Sequence, residues 1–286
     1  MIDLLPASTD MDAVTLHVGD LEGIAGYYRE ALGLVTLVDG EGLVVLGRGT
    51  TPVLVLRHTP GLPQPSRRQA GLFHTAILFP TGADLAAAVH TAARQPRSQF
   101  VGSADHLVSS AFYFTDPEGN GIELYHDRDR SLWQYDGGRV RMDTLRLDPN
   151  DFLRTHLTES AVDGITQAGA AVGHVHLQVG DLAMAETFYV DALGFETTCE
   201  YPGALFVSAG GYHHHLAMNI WNSAGAGPRA STLGLGGVSI TVPTREDVIA
   251  AADRLRHRGI AVQDDGRSLH TLDPWRNAVA LTPAPG

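Results

Sequence analysis

The chain repeats itself, and that constrains its fold more than any local propensity does. Residues 18–34 (VGDLEGIAGYYREALGL) match residues 179–195 (VGDLAMAETFYVDALGF) at an offset of 161, sharing V-G-D-L, the aligned Tyr28 and Tyr189, and A-L-G. Within each half a second unit opens on an apolar run, ILFPTGADL at 77–85 and ITVPTREDV at 240–248. It closes on DPEGNGIEL at 116–124 or DPWRNAVAL at 273–281. The chain is therefore four related modules in two tandem halves. With 286 residues, 44% of them hydrophobic, it has material for two domains.

Each module reads as βαβββ: an alternating strand, a helix begun after an Asp or Thr cap, then short strands parted by Gly-rich turns. In the first module Val14, Leu16 and Val18 alternate, Asp20 caps the helix, and Gly33 stands where a helix end needs a left-handed residue. Asp181 and Gly194 repeat this in the third. The expected organisation is an N-terminal domain over 1–130, a polar linker over 131–170 with a short helix near Phe152 to Leu157, and a C-terminal domain over 171–286.

Composition narrows the partners. Twenty Lys and Arg against 32 Asp and Glu give a net charge of −12, which disfavours nucleic acid and anionic lipid and favours a small molecule. Cys199 is the single cysteine, so no intramolecular disulfide forms, and the opening MIDLLPASTD has neither a basic n-region nor an apolar h-region. Cytoplasm is the expected address. No apolar run approaches the roughly 18 residues that a membrane span needs.

Four βαβββ modules carrying D-L, L-G-F/L and D-P-x-G-N-x-I-E-L resemble the vicinal oxygen chelate superfamily of glyoxalases, fosfomycin-resistance proteins and extradiol dioxygenases. The resemblance covers almost the whole chain and implies an α+β fold, its modules paired into cupped mixed sheets. It also implies a metal held by a residue on the first strand of each paired module and a carboxylate on a last strand. The first-strand slot, seven residues before the D-L aspartate, holds His174 in the third module but Ala13 in the first. In the second module His74 and Glu123 fill the slots that Gly237 and Ala280 occupy in the fourth. Pairing modules two and three therefore collects His74, His174 and Glu123, a 2-His-1-carboxylate set suited to non-haem Fe(II), with Mn(II) served by the same ligands. Modules one and four then pair as scaffold.

The segment YHHHLAM at 212–218 resembles the H-H-x-L-A element of type I extradiol dioxygenases. The resemblance implies that His213 and His214 are the pair and that His214 is the acid–base catalyst. On a strand, His213 and His215 would face opposite to His214. Tyr113, ten residues before Glu123, matches a tyrosine that bonds the chelated catechol oxygen. His106 resembles a further active-site histidine, at a spacing that departs from the family's. His17 is off the ligand register, and Asp116, Pro117, Gly119 and Asn120 read as a turn without chemistry. His176 shares a strand face with His174, which makes it a neighbour of the ligands or, with the register moved by two, a ligand. Phe206 and Trp221 are either pocket wall or core.

The activity these resemblances imply is extradiol ring cleavage: a catechol-type substrate and O₂ meet on Fe(II), and the ring opens beside the diol. Two alternatives stand against it. A glyoxalase-like lyase or isomerase would want a carboxylate on the last strand of both paired modules, and LAMNIW at 216–221 has no acid. A non-catalytic small-molecule-binding protein of the same fold would have no use for the triad, His214 and Tyr113. Cupped sheets of this kind often associate, so a homo-oligomer is admitted.

Overall fold

The computed structural model describes residues 4–285, so the first three residues of the MIDLLPASTD opening lie outside the described residues. The first module runs β1 (Val14–Val18), α1 (Leu21–Leu32), β2 (Val35–Gly40), β3 (Leu43–Arg48) and β4 (Thr51–His58). The second runs β5 (Gly71–Leu78), α2 (Gly82–Arg94), β6 (Gln99–Asp105), β7 (Ser109–Thr115) and β8 (Gly121–Asp127). After α3 (Pro149–His156) and α4 (Glu159–Asp163) comes the third, with β9 (Ala171–Gln178), α5 (Leu182–Glu186) continued by a π-helical turn over Thr187–Ala192, β10 (Glu196–Tyr201), β11 (Ala204–Ser208) and β12 (Leu216–Asn219). The fourth is β13 (Gly234–Val242), α6 (Arg245–His257), β14 (Val262–Asp264), β15 (Leu269–Leu272) and β16 (Ala278–Pro283). The fold is mixed α+β with few helices and mixed sheets of βαβββ modules. No described helix is long and apolar enough to cross a membrane.

The chain divides into two compact units. One takes Leu16–Leu62 and His74–Gly173; the other takes the described residues up to Thr15, then Pro63–Phe73, and those from His174 onward. Within a module the last three strands are antiparallel, and in the second, third and fourth modules the last returns parallel to the first. In the second module Ala76 on β5 lies opposite Glu123 on β8, and Tyr113 on β7 lies opposite Glu123 from the other side. In the third, Val175 to Gln178 on β9 run beside Leu216 to Asn219 on β12.

The repeat is visible in the caps. Asp20 accepts from the amide of Gly23, and Asp181 accepts from the amide of Met184. Thr81 and Thr244 cap α2 and α6 in the same way. Gly33 and Gly194 end the two equivalent helices at φ +63° and +100°, a region costly for any residue with a Cβ. Each end is closed by a guanidinium: Arg48 donates to the Leu32 carbonyl and Arg254 to the Leu193 carbonyl. The expected linker helix forms over Pro149–His156, with the Asp148 side chain accepting the first free amides.

The repeat extends to a buried polar knot. The Tyr28 hydroxyl donates to Asp116 and the Tyr189 hydroxyl to Asp273, at 3.1 and 2.9 Å, and each Asp also receives the amide of Asn120 or Asn277 at 2.8 Å. The turn read from D-P-x-x-N is thus also the anchor that ties the helix of one module to the last strands of the next. Burial raises the pKa of both carboxyls above the ordinary 3.8, outweighing the hydrogen bonds from Asn120 and Tyr28 and from Asn277 and Tyr189 that favour the charged form. A native pKa above the unfolded value means that the folded state binds the proton more tightly. The stability these carboxyls confer is therefore greatest below pH 3.8 and falls as pH rises through their native values. Carboxyl ¹³C titration of the folded protein is expected to place both midpoints above 3.8. Midpoints at or below it would refute the dominance of burial.

Candidate active site

In the first unit the site residues project from one face of the second module's strands. His74 lies two residues from Ala76 and so shares its face. Glu123 stands opposite Ala76, and Tyr113 opposite Glu123. The face is floored by Ala76, Ala111 and Tyr125, with Leu78 and Tyr113 packed against them. Small alanines leave room above for long polar side chains. Gly173 serves the same end, because a Cβ there would meet the Tyr125 hydroxyl at 1.7 Å.

His74 Nε2 and Glu123 Oε2 are 2.9 Å apart, with side chains only 7% and 3% exposed. Imidazole and carboxylate are the donor types for a first-row divalent metal. Metal bonds of about 2.1 Å meeting at a right angle set two donor atoms about 3 Å apart, so this pair fits a shared cation.

Tyr113 lies between this pair and a relay. Its Oη is 2.6 Å from His106 Nε2, while His106 Nδ1 is 2.7 Å from the carbonyl oxygen of Asp143. A carbonyl only accepts, so Nδ1 carries the ring proton and Nε2 accepts from the Tyr113 hydroxyl. Burial, and next the charge of Glu123, push the Tyr113 pKa well above 10, so its phenol is neutral at physiological pH. The unusual spacing of His106 is accommodated by the turn between β6 and β7. There Leu107 adopts φ +69°, held by its amide on Asp105 and its carbonyl on Arg128, while Arg128 also pairs with Asp105 at 2.6 Å. A non-glycine residue at positive φ is strained and persists only where its surroundings enforce it.

In the other unit His174 and His176 share the face of β9 opposite to the fully buried Val175 and Leu177. The His174 ring is 4.0 Å from His214 and 5.9 Å from His213, centroid to centroid. His213 and His214 were expected on opposite faces of a strand, and the structure corrects this. Both precede β12, after Gly210 and Gly211, whose φ of +63° and +67° curl the chain. Gly210 also packs so close to the Ala7 carbonyl that a Cβ would stand 2.1 Å from its oxygen. Freed from alternation, the Nδ1 atoms of His213 and His214 approach to 2.7 Å and share one proton. The carbonyl of His213 accepts from Thr198 Oγ1 at 2.6 Å. His215 is structural: its Nδ1 accepts from the Ala209 amide, and its backbone bonds to Val207 and Val175.

His176 is bonded to Asn219, Nε2 to Nδ2, at 3.0 Å. Around it stand Phe73, Trp221 and Phe206, and Phe206 in turn meets His214 at 5.0 Å. Phe206 and Trp221 thus belong to an aromatic cluster beside the histidine pair. Sequence reasoning passed over three partners: His213 as a direct partner of His214, Asn219, and the Asp143 carbonyl. The adjacency of His213 and His214 was the one available signal. Asp143 sits 37 residues from His106 and offers only its backbone.

This module architecture defines a class, and the chain belongs to the glyoxalase/bleomycin resistance protein/dioxygenase superfamily, whose family model matches residues 10–124 and 171–271. Among curated relatives it is 35% identical over 276 residues to catechol-2,3-dioxygenase of Bacillus subtilis (strain 168), spanning 94% of this chain and 95% of that one. Two solved structures share the fold. A putative dioxygenase from Bacillus subtilis subsp. subtilis str. 168 superposes with a TM-score of 0.64 at 14% identity, covering 97% of this chain and 86% of its own. Glyoxalase I from Zea mays gives a TM-score of 0.60 at 17% identity, with coverage of 96% and 92%.

Proposed function

We propose that this protein is an extradiol ring-cleaving dioxygenase that acts on a catechol-type substrate with O₂, at a metal held by His74, His174 and Glu123. The observation that carries the reading is that two acid–base pairs are already hydrogen-bonded beside ligand-type side chains: Tyr113 with His106, and His213 with His214. A sequestering protein needs neither pair. The relationship to catechol-2,3-dioxygenase along nearly the whole of both chains supports it.

Fe(II), once bound, would bring the diol and O₂ together and pass electrons between them. The chain's own groups would handle protons and charge. On substrate binding the neutral phenol of Tyr113 would turn its one O–H from His106 Nε2 to a substrate oxygen, and His106, fixed by Asp143, would take up or return the phenol's proton. His214 holds or delivers a proton at Nε2, because its Nδ1 is engaged with His213. The burial of His213 and His214, and the partial burial of Tyr113 and His106, limit the competition of bulk water for these bonds.

The test is anaerobic loading with Fe(II), then catechol or 3-methylcatechol in air. A yellow ring-fission product with one O₂ consumed per diol is expected. Tight Ni²⁺ or Zn²⁺ retention with no colour and no O₂ uptake would instead favour a lyase or isomerase.

A further inference from the structure

We infer that Arg128 is a positioning residue for the reaction: acting through Leu107 and Asp105, it holds His106 where its Nε2 meets the Tyr113 hydroxyl. Its part in the reaction rests on the dioxygenase reading above. The first support is the turn itself. Leu107 and Val108 connect His106 to Ser109, whose carbonyl accepts the His106 amide at 2.9 Å. Leu107 stands first of the two, at φ +69°, where a hairpin turn ordinarily has glycine. Unrestrained, a leucine leaves that conformation for negative φ, and the neighbouring His106 moves with it.

The second support is what restrains it. One guanidinium grips the turn at two points: Arg128 Nη1 donates to the Leu107 carbonyl at 3.1 Å, and Nη2 donates to Asp105 Oδ2 at 2.6 Å. The other oxygen of Asp105 accepts the Leu107 amide at 2.8 Å. Arg128 is itself fixed, since its amide donates to the Val108 carbonyl at 2.8 Å and its carbonyl accepts from the Trp133 indole at 3.0 Å. It directly follows β8, so the clamp ties His106 to the strand that carries Glu123.

The third support is energetic. The Arg128 and Asp105 side chains are 37% and 23% exposed, and an ion pair open to water adds little to stability. Glycine at position 107 would relieve the strain, but it would also let the turn take several conformations. A leucine clamped at its amide and its carbonyl keeps one. What the arrangement supplies is a fixed imidazole, and one ring must meet both the 2.6 Å bond to Tyr113 and the 2.7 Å bond to the Asp143 carbonyl. Misplacing a reacting group by about 1 Å can cost on the order of 100-fold in rate.

The test is a double-mutant cycle of Arg128→Met and Leu107→Gly on the Fe(II)-loaded protein, joined to ¹⁵N NMR of the His106 ring with Zn²⁺ in place of iron. Arg128→Met alone is expected to lower kcat at least about tenfold, with metal content and KM for catechol near wild type. In the Leu107→Gly background, where a left-handed turn no longer needs a clamp, the same substitution is expected to cost about threefold or less. Arg128→Lys, which keeps a charge for Asp105 but not the fork, is expected to recover part of the loss. Asp105→Ala removes the same clamp from its other end and gives a second reading of the cycle. The ¹⁵N shifts are expected to show the single Nδ1–H form in the wild type and a mixture in Arg128→Met. Equal losses in the two backgrounds, or an unchanged ring tautomer, would overturn the inference. So would a raised KM with unchanged kcat, which would put Arg128 on the substrate. A wild type that cleaves no catechol, with the single tautomer still lost in Arg128→Met, would sink the dioxygenase reading and leave Arg128 as the residue that fixes His106.

Discussion

Glu123→Gln is expected to remove at least about 100-fold in metal affinity and to bring ring cleavage to background, while thermal unfolding stays cooperative. The amide keeps the shape of the carboxylate but loses its charge and half of its accepting capacity. Outer hydrogen-bonding partners of metal ligands command 10- to 100-fold in affinity, so a direct ligand should exceed that range. The fold should hold because Glu123 is carried by backbone pairing on both sides, to Ala76 and to Tyr113. Metal content by elemental analysis after dialysis, alongside O₂ uptake, reads both effects. Full metal retention in this variant would remove Glu123 from the ligand set.

His214→Gln is expected to leave metal content unchanged and to lower kcat by about 10²- to 10⁴-fold, the range for a positioned general acid or base. Its accompanying signature is a change in the pH–rate profile, with one limb flattened, because the group that titrates there is gone. His213→Ala should move the same limb with a smaller loss of rate, since it acts through the 2.7 Å contact between the two Nδ1 atoms. A His214→Gln enzyme with wild-type kcat would sink the acid–base assignment and leave His214 as packing against Phe206. If kcat fell together with metal content, His214 would instead be supporting the cation through its neighbour His174.

Much of this molecule was legible from residue order. The V-G-D-L and D-P-x-x-N repeats located all four modules, and Asp20, Asp181, Thr81 and Thr244 cap helices in their expected places. These are local signals, set by backbone groups within one helical turn, and a linear sequence carries them intact. The strand slots that hold His74 and Glu123 were also legible, because their strands repeat with a fixed register.

What tertiary structure alone decided lies where the backbone leaves regular form. Two left-handed glycines, Gly210 and Gly211, bring His213 and His214 into direct contact instead of onto opposite faces. A strained Leu107, pinned by Asp105 and Arg128, lets His106 reach Tyr113 despite its altered spacing. The Asp143 carbonyl and the Asn219 amide choose the tautomers of His106 and His176 from afar in the chain. Sequence determines which side chains are present and which face of a regular element they take. The protonation form of each imidazole depends on hydrogen bonds made across turns and loops, and those exist only once the chain has folded.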